Sequence, residues 1–356
     1  MAAGVAMPDV AIALSGGVDS SVAAALLLEQ GRDVFGVTMR LGLDEVAGRP
    51  CCGEEEVALA RRVCAQLSMP HIVVDVAERF RAEVVEPFCD AYASGLTPNP
   101  CVRCNERIKF GAFADRVRSL GARTLATGHY ARIERDDAGA WLARARDDAK
   151  DQSYFLYRIP PTTLEMVEFP LGELTKAEVR ALAAERGLPT AERRESQEVC
   201  FTSDHVTLVS ASHPATLAPG PIEDASGRVL GTHGGIARYT VGQRKGIGVG
   251  GPGGPYRVLA LDAERNAVIV GTADDALTER VLLTDPVWRL GDGAHAVDAR
   301  IRYRARPQQA KVGRTADGLE VRFRDTVETP APGQSVVLYR GERIVGGGVV
   351  AAESQR

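Results

Sequence analysis

The sequence has no excess of positive charge: 43 Lys and Arg stand against 47 Asp and Glu, for a net charge of −4. No global basic signature announces a nucleic-acid partner, so charge has to be judged locally. The longest apolar run near the N-terminus, 22–28, is too short to span a bilayer. No Lys or Arg precedes Arg32, so the basic region of a secretory signal is missing and the expected location is cytoplasmic. No second Cys-x-x-Cys accompanies Cys101-Val102-Arg103-Cys104, which leaves a structural zinc site short of ligands. There is no internal repeat and no low-complexity tail. The seven cysteines of a cytoplasmic chain are expected to be reduced unless catalytic or metal-bound.

What is present is globular. The 356 residues are 45% hydrophobic and 25% charged, enough for two or three domains. The first informative stretch is Ser15-Gly16-Gly17-Val18-Asp19-Ser20. It follows the apolar run Val10-Ala11-Ile12-Ala13-Leu14 and precedes a helical pattern closed by Gly31. Strand, tight small-residue turn and helix follow in that order. Glycines let a ligand approach the backbone, and a helix start attracts phosphate. Ser15 and Ser20 can add donors, and Asp19 can cap the helix or help hold Mg²⁺.

The first half alternates. Strands are expected over 10–14, 34–39, 72–76 and 124–127, and helices over 20–30, 54–67, 81–92 and 106–120. Such alternation implies a parallel sheet covered on both faces, with ligands at the carboxyl ends of the strands. Ser15–Ser20, Met39 and Gly128-His129 all fall at such ends. From Lys150 the pattern loosens, with a short helix at 151–157 and a better one at 176–186, capped by Thr175 and followed by Gly187. Beyond about Ser203 helix signals mostly stop, and 216–275 reads as short strands and glycine turns. Strands over 299–306, 310–313, 319–324, 335–339 and 343–350 suggest a small β-barrel or sandwich.

Two further stretches carry chemistry. In Thr97-Pro98-Asn99-Pro100-Cys101-Val102-Arg103-Cys104-Asn105, two prolines force an extended approach and a turn. Asn105 can cap the following helix, which would place Cys104 just before a helix N-terminus, close to Arg103, Arg107 and Lys109; both features favour a thiolate. The alternatives are a redox pair, half a metal site, or two unrelated thiols. In Glu195-Ser196-Gln197-Glu198-Val199-Cys200-Phe201 a lone cysteine stands beside apolar residues, where an inert buried thiol is the ordinary outcome. Near the C-terminus Arg300, Arg302, Arg304 and Arg306 alternate with Ile301, Tyr303 and Ala305. As a strand this puts four arginines on one face, able to track phosphates; a charge-blunted edge strand reads the same way.

The loop resembles the pyrophosphate loop of ATP-pyrophosphatases, which cleave ATP to AMP and pyrophosphate. Taken together and in order, the stretches resemble the bacterial tRNA-specific 2-thiouridylases over nearly the whole chain. The matching residues include Phe35-Gly36-Val37-Thr38-Met39, Cys51-Cys52, Thr97 to Asn105, Ala126-Thr127-Gly128-His129-Tyr130 and Lys150-Asp151-Gln152-Ser153-Tyr154-Phe155-Leu156. They continue with Ser196 to Phe201, Tyr239-Thr240-Val241-Gly242-Gln243-Arg244-Lys245-Gly246, Ile301-Arg302-Tyr303-Arg304 and Pro332-Gly333-Gln334-Ser335.

The resemblance implies an α/β fold: an N-terminal parallel-sheet ATP-pyrophosphatase domain (1–205), a small central domain (206–277) and a C-terminal tRNA-contacting β-barrel (278–356). It implies ATP-dependent 2-thiolation of a tRNA wobble uridine, with ATP and Mg²⁺ as cofactors. ATP would be bound by Ala13, Leu14, Ser15, Gly16, Gly17, Val18, Asp19, Ser20, Met39 and Gly128. Cys104 would be the nucleophile, and Cys200 the persulfide carrier that forms a transient disulfide with Cys104. Asn99, Pro100 and Cys101 would lie at the target base. His129, Lys150, Asp151, Gln152, Arg302, Tyr303 and Gln334 would touch tRNA. The expected partners are lysine, glutamine and glutamate tRNAs and a cysteine desulfurase or sulfur-relay protein. Many members have Asp where this chain has Cys101, which leaves that residue's acid–base role open. Cys101, Cys104 and Cys200 also make a candidate three-cysteine iron–sulfur site. Two competing readings remain at this level: an amide-forming ligase that adenylates a carboxylate, and a non-catalytic tRNA-binding protein.

Overall fold

A computed structural model describes residues 8–42, 53–193, 199–250 and 254–352. The chain forms two compact units. One comprises Met1–Val84, Cys101–Ser203 and Glu342–Ile344; the other comprises Val85–Pro100, Asp204–Gly341 and Val345–Arg356.

The strands of the first unit are β1 (Val10–Ala13), β2 (Val34–Arg40), β3 (His71–Asp75), β4 (Thr124–Thr127), β5 (Arg132–Asp136), β6 (Gly139–Ala143) and β7 (Val167–Glu168). A five-stranded sheet runs in the order β3-β2-β1-β4-β7, and its pairings are all parallel. β1 is apolar throughout, as a strand covered on both faces must be. The helix Val18–Glu29 is buried along most of its length for the same reason. Its Val22, Ala23 and Leu27 join Ile12, Val34, Ala60 and Val179 in one core. The helix Lys176–Glu185 packs beside it, started by Thr175 in a reciprocal bond pattern with Glu178.

Ala13 is in register with both Val37 and Thr127, so β1, β2 and β4 end at one edge. The chain crosses to opposite sides of β1 to place β2 and β4. That reversal leaves a crevice at the carboxyl ends of the strands. β5 and β6 form an antiparallel hairpin that the sequence reading did not foresee.

The strands of the second unit begin with β8 (Gly220–Asp224), β9 (Val229–His233), β10 (Arg257–Asp262) and β11 (Ala267–Gly271), ordered β10-β11-β8-β9 around Ile222, Tyr239, Val258 and Val268. Six strands follow: β12 (Leu277–Trp288), β13 (His295–Arg300), β14 (Gln308–Thr315), β15 (Gly318–Glu328), β16 (Ser335–Arg340) and β17 (Arg343–Val350). They run β12-β15-β14-β13-β16-β17, and β12 also pairs with β17, which closes an antiparallel barrel. β12 pairs with β15 through its first half and with β17 through its second. The register shifts between Thr284 and Val287, at Asp285-Pro286. A proline lacks the N–H a ladder needs, and this break lets one strand serve both edges. The architecture is α/β, as expected.

Three local expectations are corrected. The helix expected at 106–120 begins at Pro100: Pro100–Arg103, a π-wound stretch Cys104–Ala112 with a kink at Gly111, and Phe113–Ser119 form one helical run. Proline is tolerated in a first turn because that N–H has no intrahelical partner. The helix expected at 81–92 is broken into Ala77–Phe80, a π-wound Arg81–Val85 and Glu86–Ala93. Pro87 cannot donate to the Glu83 carbonyl, which accepts from Arg103 Nε instead. The strand expected at 299–306 stops at Arg300. A turn follows, with Ala305 N–H bonded to Arg302 O and Arg300 Nε folded back onto Ala305 O. The four arginines therefore do not share a strand face. A helix at His205–Ser212 went unread, although Asp204 caps it through the N–H groups of Val206 and Thr207.

Candidate active site

The loop after β1 is closed on itself. Ser15 N–H donates to Ser20 Oγ at 3.3 Å, and the Ser20 and Ser21 hydroxyls donate to Gly17 O at 3.1 and 2.9 Å. Gly16 sits at φ +70°, a conformation that L side chains rarely adopt. Its carbonyl accepts from Arg193 Nη1 at 3.2 Å, while Arg193 Nη2 meets Glu56 at 2.6 Å.

The helix that follows has Gly17 at its N-cap, and no side chain caps it. Asp19 is not the cap that the sequence allowed. Its carboxylate is held by Lys176 Nζ at 2.6 and 2.8 Å and by the Tyr130 hydroxyl at 2.8 Å. The helix start thus keeps its backbone N–H dipoles clear of a capping side chain, as an anion site requires.

These residues open onto a cavity of about 240 Å³ in the crevice. Ala13, Leu14, Ser15, Asp19 and Ser20 line it from the loop, Val37 and Met39 from β2, and Thr127, Gly128 and His129 from the end of β4. Gln152, Lys109 and Phe113 complete the wall. Met39 and Gly128, far from the loop in sequence, are thereby brought to it. A Cβ on Gly128 would lie 2.6 Å from Ser20 N and 2.8 Å from Asp19 C, backbone atoms that cannot swing away. Gly128→Ala is expected to push the loop off its strand, destabilise the fold by about 1–3 kcal/mol and weaken ATP binding at least about tenfold. Thermal melting and nucleotide titration check this; unchanged ATP affinity would show that the contact does not shape the cavity.

His129 is placed at this cavity. Its Nδ1 lies 2.7 Å from Thr127 Oγ1 and its Nε2 3.4 Å from Lys109 Nζ. An ammonium only donates, so Nε2 accepts and Nδ1–H donates to Thr127. Burial, then the Lys109 charge, holds the imidazole pKa well below its ordinary value, so the ring is neutral at neutral pH. Phe110 and Phe169 pack around it at 5.9 and 6.1 Å.

Cys104 is 8% exposed and opens the π-wound stretch, inside the helical run rather than before it. The expected N-terminal dipole at this thiol is therefore absent. Asn105 does not cap; its amide donates to Phe155 O at 3.1 Å. Arg103 is bonded to Glu83 O, and Glu106 pairs with Arg158 at 3.0 Å and with Arg107 at 3.6 Å. The cation aimed at the cavity is Lys109. π winding bonds residues five apart, so Lys109 stands one turn from Cys104.

Cys101 and Cys200 are half-buried. Phe201 packs edge-on against Phe80 at 5.7 Å, which ties the chain just after Cys200 to the helix Ala77–Phe80. Cys51-Cys52 and Glu195-Ser196-Gln197-Glu198 lie outside the described residues. Cys64 is buried and its pKa is pushed up to about 12 by desolvation, which makes it inert. Burial likewise raises the Cys89 thiol.

The remaining predicted residues are spread over both units. Asp151 is fully buried, with its carboxylate accepting from the N–H groups of Ala145 and Ser153 and from the Ser153 hydroxyl. It organises the turn that carries Lys150 and Gln152; Gln152 Oε1 accepts from Tyr130 N–H at 2.9 Å. In the second unit Arg302 pairs with Glu328 at 2.9 Å, and Arg300 lies over the Tyr303 ring at 5.5 Å. Gln334 bonds the Thr97 carbonyl at 2.9 Å. Asn99 is half-buried and Pro100 buried. The sequence gives Lys109 only as a charge near Cys104, and it assigns no role to Tyr130, Lys176 or Arg193. Lys109 stood in the quoted motif, but nothing local ties Lys176 to an aspartate 157 residues away.

Two metal groups can be tested against these donors. Asp19 is the one carboxylate among the cavity-lining residues. That suits Mg²⁺, which takes one or two carboxylates together with phosphate oxygens and water. Among the described residues no three His, Cys, Asp or Glu side chains come together as a metal site. Cys101, Cys104 and Cys200, all described, therefore do not form the three-thiolate set that an iron–sulfur cluster needs.

Known proteins sort these features. Residues 8–204 match the model of the tRNA methyl transferase HUP domain, 212–272 the tRNA methyl transferase PRC-barrel domain, and 279–350 the aminomethyltransferase beta-barrel domain. A tRNA-specific 2-thiouridylase MnmA of Chloroflexus aggregans is 47% identical over 97% of this chain and 99% of its own length. The chain belongs to the tRNA-specific 2-thiouridylase family. Family members of the same name from Parvibaculum lavamentivorans and Geobacter metallireducens are each 44% identical, covering 97% and 96% of this chain and 91% and 96% of theirs. Membership accounts for the order of the parts: a nucleotide-binding parallel sheet first, a small barrel next, an antiparallel barrel last. No helix among the described residues is long and apolar enough to cross a membrane.

Proposed function

We propose that this protein thiolates the wobble uridine of tRNA at C2, using ATP to activate the oxygen and a cysteine persulfide to supply the sulfur. The observation that carries this reading is the cavity at the strand ends. It joins the pyrophosphate-type loop, Asp19 and Gly128 to Lys109, on the same helical run as Cys104. The cysteine pair and the pyrophosphate loop favour sulfur over methyl transfer, which needs neither.

A uracil carbonyl is a poor electrophile. In the first step its C2 oxygen attacks the α-phosphorus of ATP and the bond to pyrophosphate breaks. Loop N–H dipoles, Lys109 and Lys176 stabilise the departing charge. Mg²⁺, held by Asp19 when bound, would neutralise phosphate charge. In the second step the outer sulfur of a Cys200 persulfide bonds to C2, and AMP leaves with the former carbonyl oxygen. The Cys104 thiolate attacks the inner sulfur, breaks the S–S bond and leaves its electron pair on the 2-thio group. A Cys104–Cys200 disulfide remains, and a cytoplasmic thiol reductant must open it before the next turnover.

Ala13, Leu14, Ser15, Gly16, Gly17, Val18, Asp19, Ser20, Met39 and Gly128 hold ATP in this reading. Asn99, Pro100 and Cys101 face the target base. Lys150, Gln152, Arg302 and Tyr303 meet tRNA, with Asp151 bracing the turn between the first two. His129, neutral and at the cavity, donates no charge; it meets the base or the nucleotide through shape and hydrogen bonding. A wobble base is unpaired, so exposing it is inexpensive. Lysine, glutamine and glutamate tRNAs are the expected substrates, and a cysteine desulfurase or relay protein loads Cys200. The matched ranges support domains at 1–205, 206–277 and 278–356.

Mass spectrometry of nucleosides from tRNA incubated with the protein, ATP, Mg²⁺ and a sulfide source tests the reading. The expected product is 2-thiouridine at the wobble position, with AMP and pyrophosphate in equal amount. AMP release without any thiouridine would sink the sulfur step, and thiouridine without ATP would sink the activation step.

A further inference from the structure

The segment before Cys101 presents an accounting problem that the barrel solves. Residues 96–99 belong to no helix or strand, and Pro98 and Pro100 have no N–H. Carbonyls there cannot join a ladder, so buried ones need partners from elsewhere. Thr97 is 9% exposed. Its N–H donates to Pro332 O at 2.8 Å, and its carbonyl accepts from Gln334 Nε2 at 2.9 Å. The same amide nitrogen lies 3.5 Å from Pro98 O.

Gln334 is itself held by its backbone. Its N–H donates to Ala331 O at 3.0 Å, and its carbonyl accepts from Val350 N–H at 2.8 Å. Gly333 N–H closes the turn on Val350 O at 3.0 Å. The turn at the start of β16 therefore holds Thr97 by both its backbone N–H and its backbone carbonyl.

We propose that Gln334 is a positioning residue: its amide clasps the Thr97-Pro98 backbone and so sets the conformation of Asn99-Pro100, the segment that faces the target base. This deepens the thiolation reading, and rests on it for what Asn99-Pro100 faces. The clasp changes the role that resemblance suggested for Gln334. Its amide N–H groups face protein carbonyls, so losing them disturbs the protein before any tRNA arrives.

Gln334→Glu keeps the size of the side chain but sets a carboxylate against two carbonyl oxygens. Gln334→Met removes the donor without adding charge, and serves if the first variant does not fold. Hydrogen exchange on the full-length protein without tRNA is expected to speed up about tenfold or more in the peptide spanning 96–99, with strands β13 and β14 unchanged. At saturating tRNA the kcat for thiolation is expected to fall about tenfold, with the KM for tRNA changing less than about threefold. Unchanged exchange at 96–99, or a loss confined to KM, overturns the proposal. If the wild-type protein makes no 2-thiouridine, the thiolation reading fails, while the exchange measurement still decides whether Gln334 holds the segment.

Discussion

Cys104→Ser and Cys200→Ser are each expected to lower 2-thiouridine formation by about a thousandfold or more, and the double variant to be no worse than either single one. A hydroxyl cannot carry a persulfide and is a far weaker nucleophile than a thiolate. In the proposed mechanism the two cysteines have separate jobs, carrying sulfur and releasing it, yet both serve one step, so their losses would not add. Adenylation needs neither thiol. Release of pyrophosphate on adding tRNA should therefore persist in both variants, which separates a lost sulfur step from a misfolded cavity. Loading with labelled sulfur from a cysteine desulfurase should label the wild type and Cys104→Ser but not Cys200→Ser. Full thiouridine formation by Cys200→Ser from that donor would refute the persulfide role. Cys64→Ser is the control, since its raised pKa and burial keep it out of the chemistry.

The second large effect is expected at the other end of the reaction. Asp19→Asn should slow pyrophosphate release by about a hundredfold or more, because the loop would lose the carboxylate proposed to hold Mg²⁺. Lys176→Met should act through Asp19. It leaves that carboxylate without its ion-pair partner in a place where the partner's side chain is 11% exposed. Breaking a largely buried pair from one side costs about 3–5 kcal/mol, and the 29% exposure of Asp19 puts the expectation toward the lower end. The melting temperature of Lys176→Met should therefore fall in nucleotide-free protein and recover on adding ATP with Mg²⁺, whose charge replaces the ammonium. Asp19→Asn should show little such recovery. Wild-type rates of pyrophosphate release in Asp19→Asn would remove Asp19 from the activation step.

The parts that were legible in the sequence are those whose causes are local. Val10-Ala11-Ile12-Ala13 is apolar at every position, so it announces a strand covered on both faces. Gly16-Gly17 announces a turn, and the buried small residues behind it announce a helix. Their order implies a phosphate site. Thr175 and Glu178 marked a helix start by chemistry contained in four residues. The division into alternating, glycine-rich and strand-rich stretches likewise tracks short-range pattern. It matches the parallel sheet, the four-stranded sheet and the closed barrel that were found.

Expectations failed where a local pattern had more than one physical outcome. The arginines of 300–306 alternate as a strand would, but Arg300 bonds back to Ala305 O and the chain turns. Asn105 suits a cap, but Pro100 suits a first turn equally well, and the helix starts there, which puts Cys104 inside it. Asp19 likewise suits a cap, and Lys176 took it instead.

The sequence alone therefore determined the strand, glycine turn and helix of the loop and the three-part architecture, because each is written in neighbouring residues. Only the tertiary structure decided which polar groups meet. It brought Lys176 to Asp19, Lys109 to His129, Arg193 to Gly16 and Gln334 to Thr97. The physical reason is that backbone preference acts over a few residues, whereas these pairs form only after the sheets and barrels have closed the long loops between them.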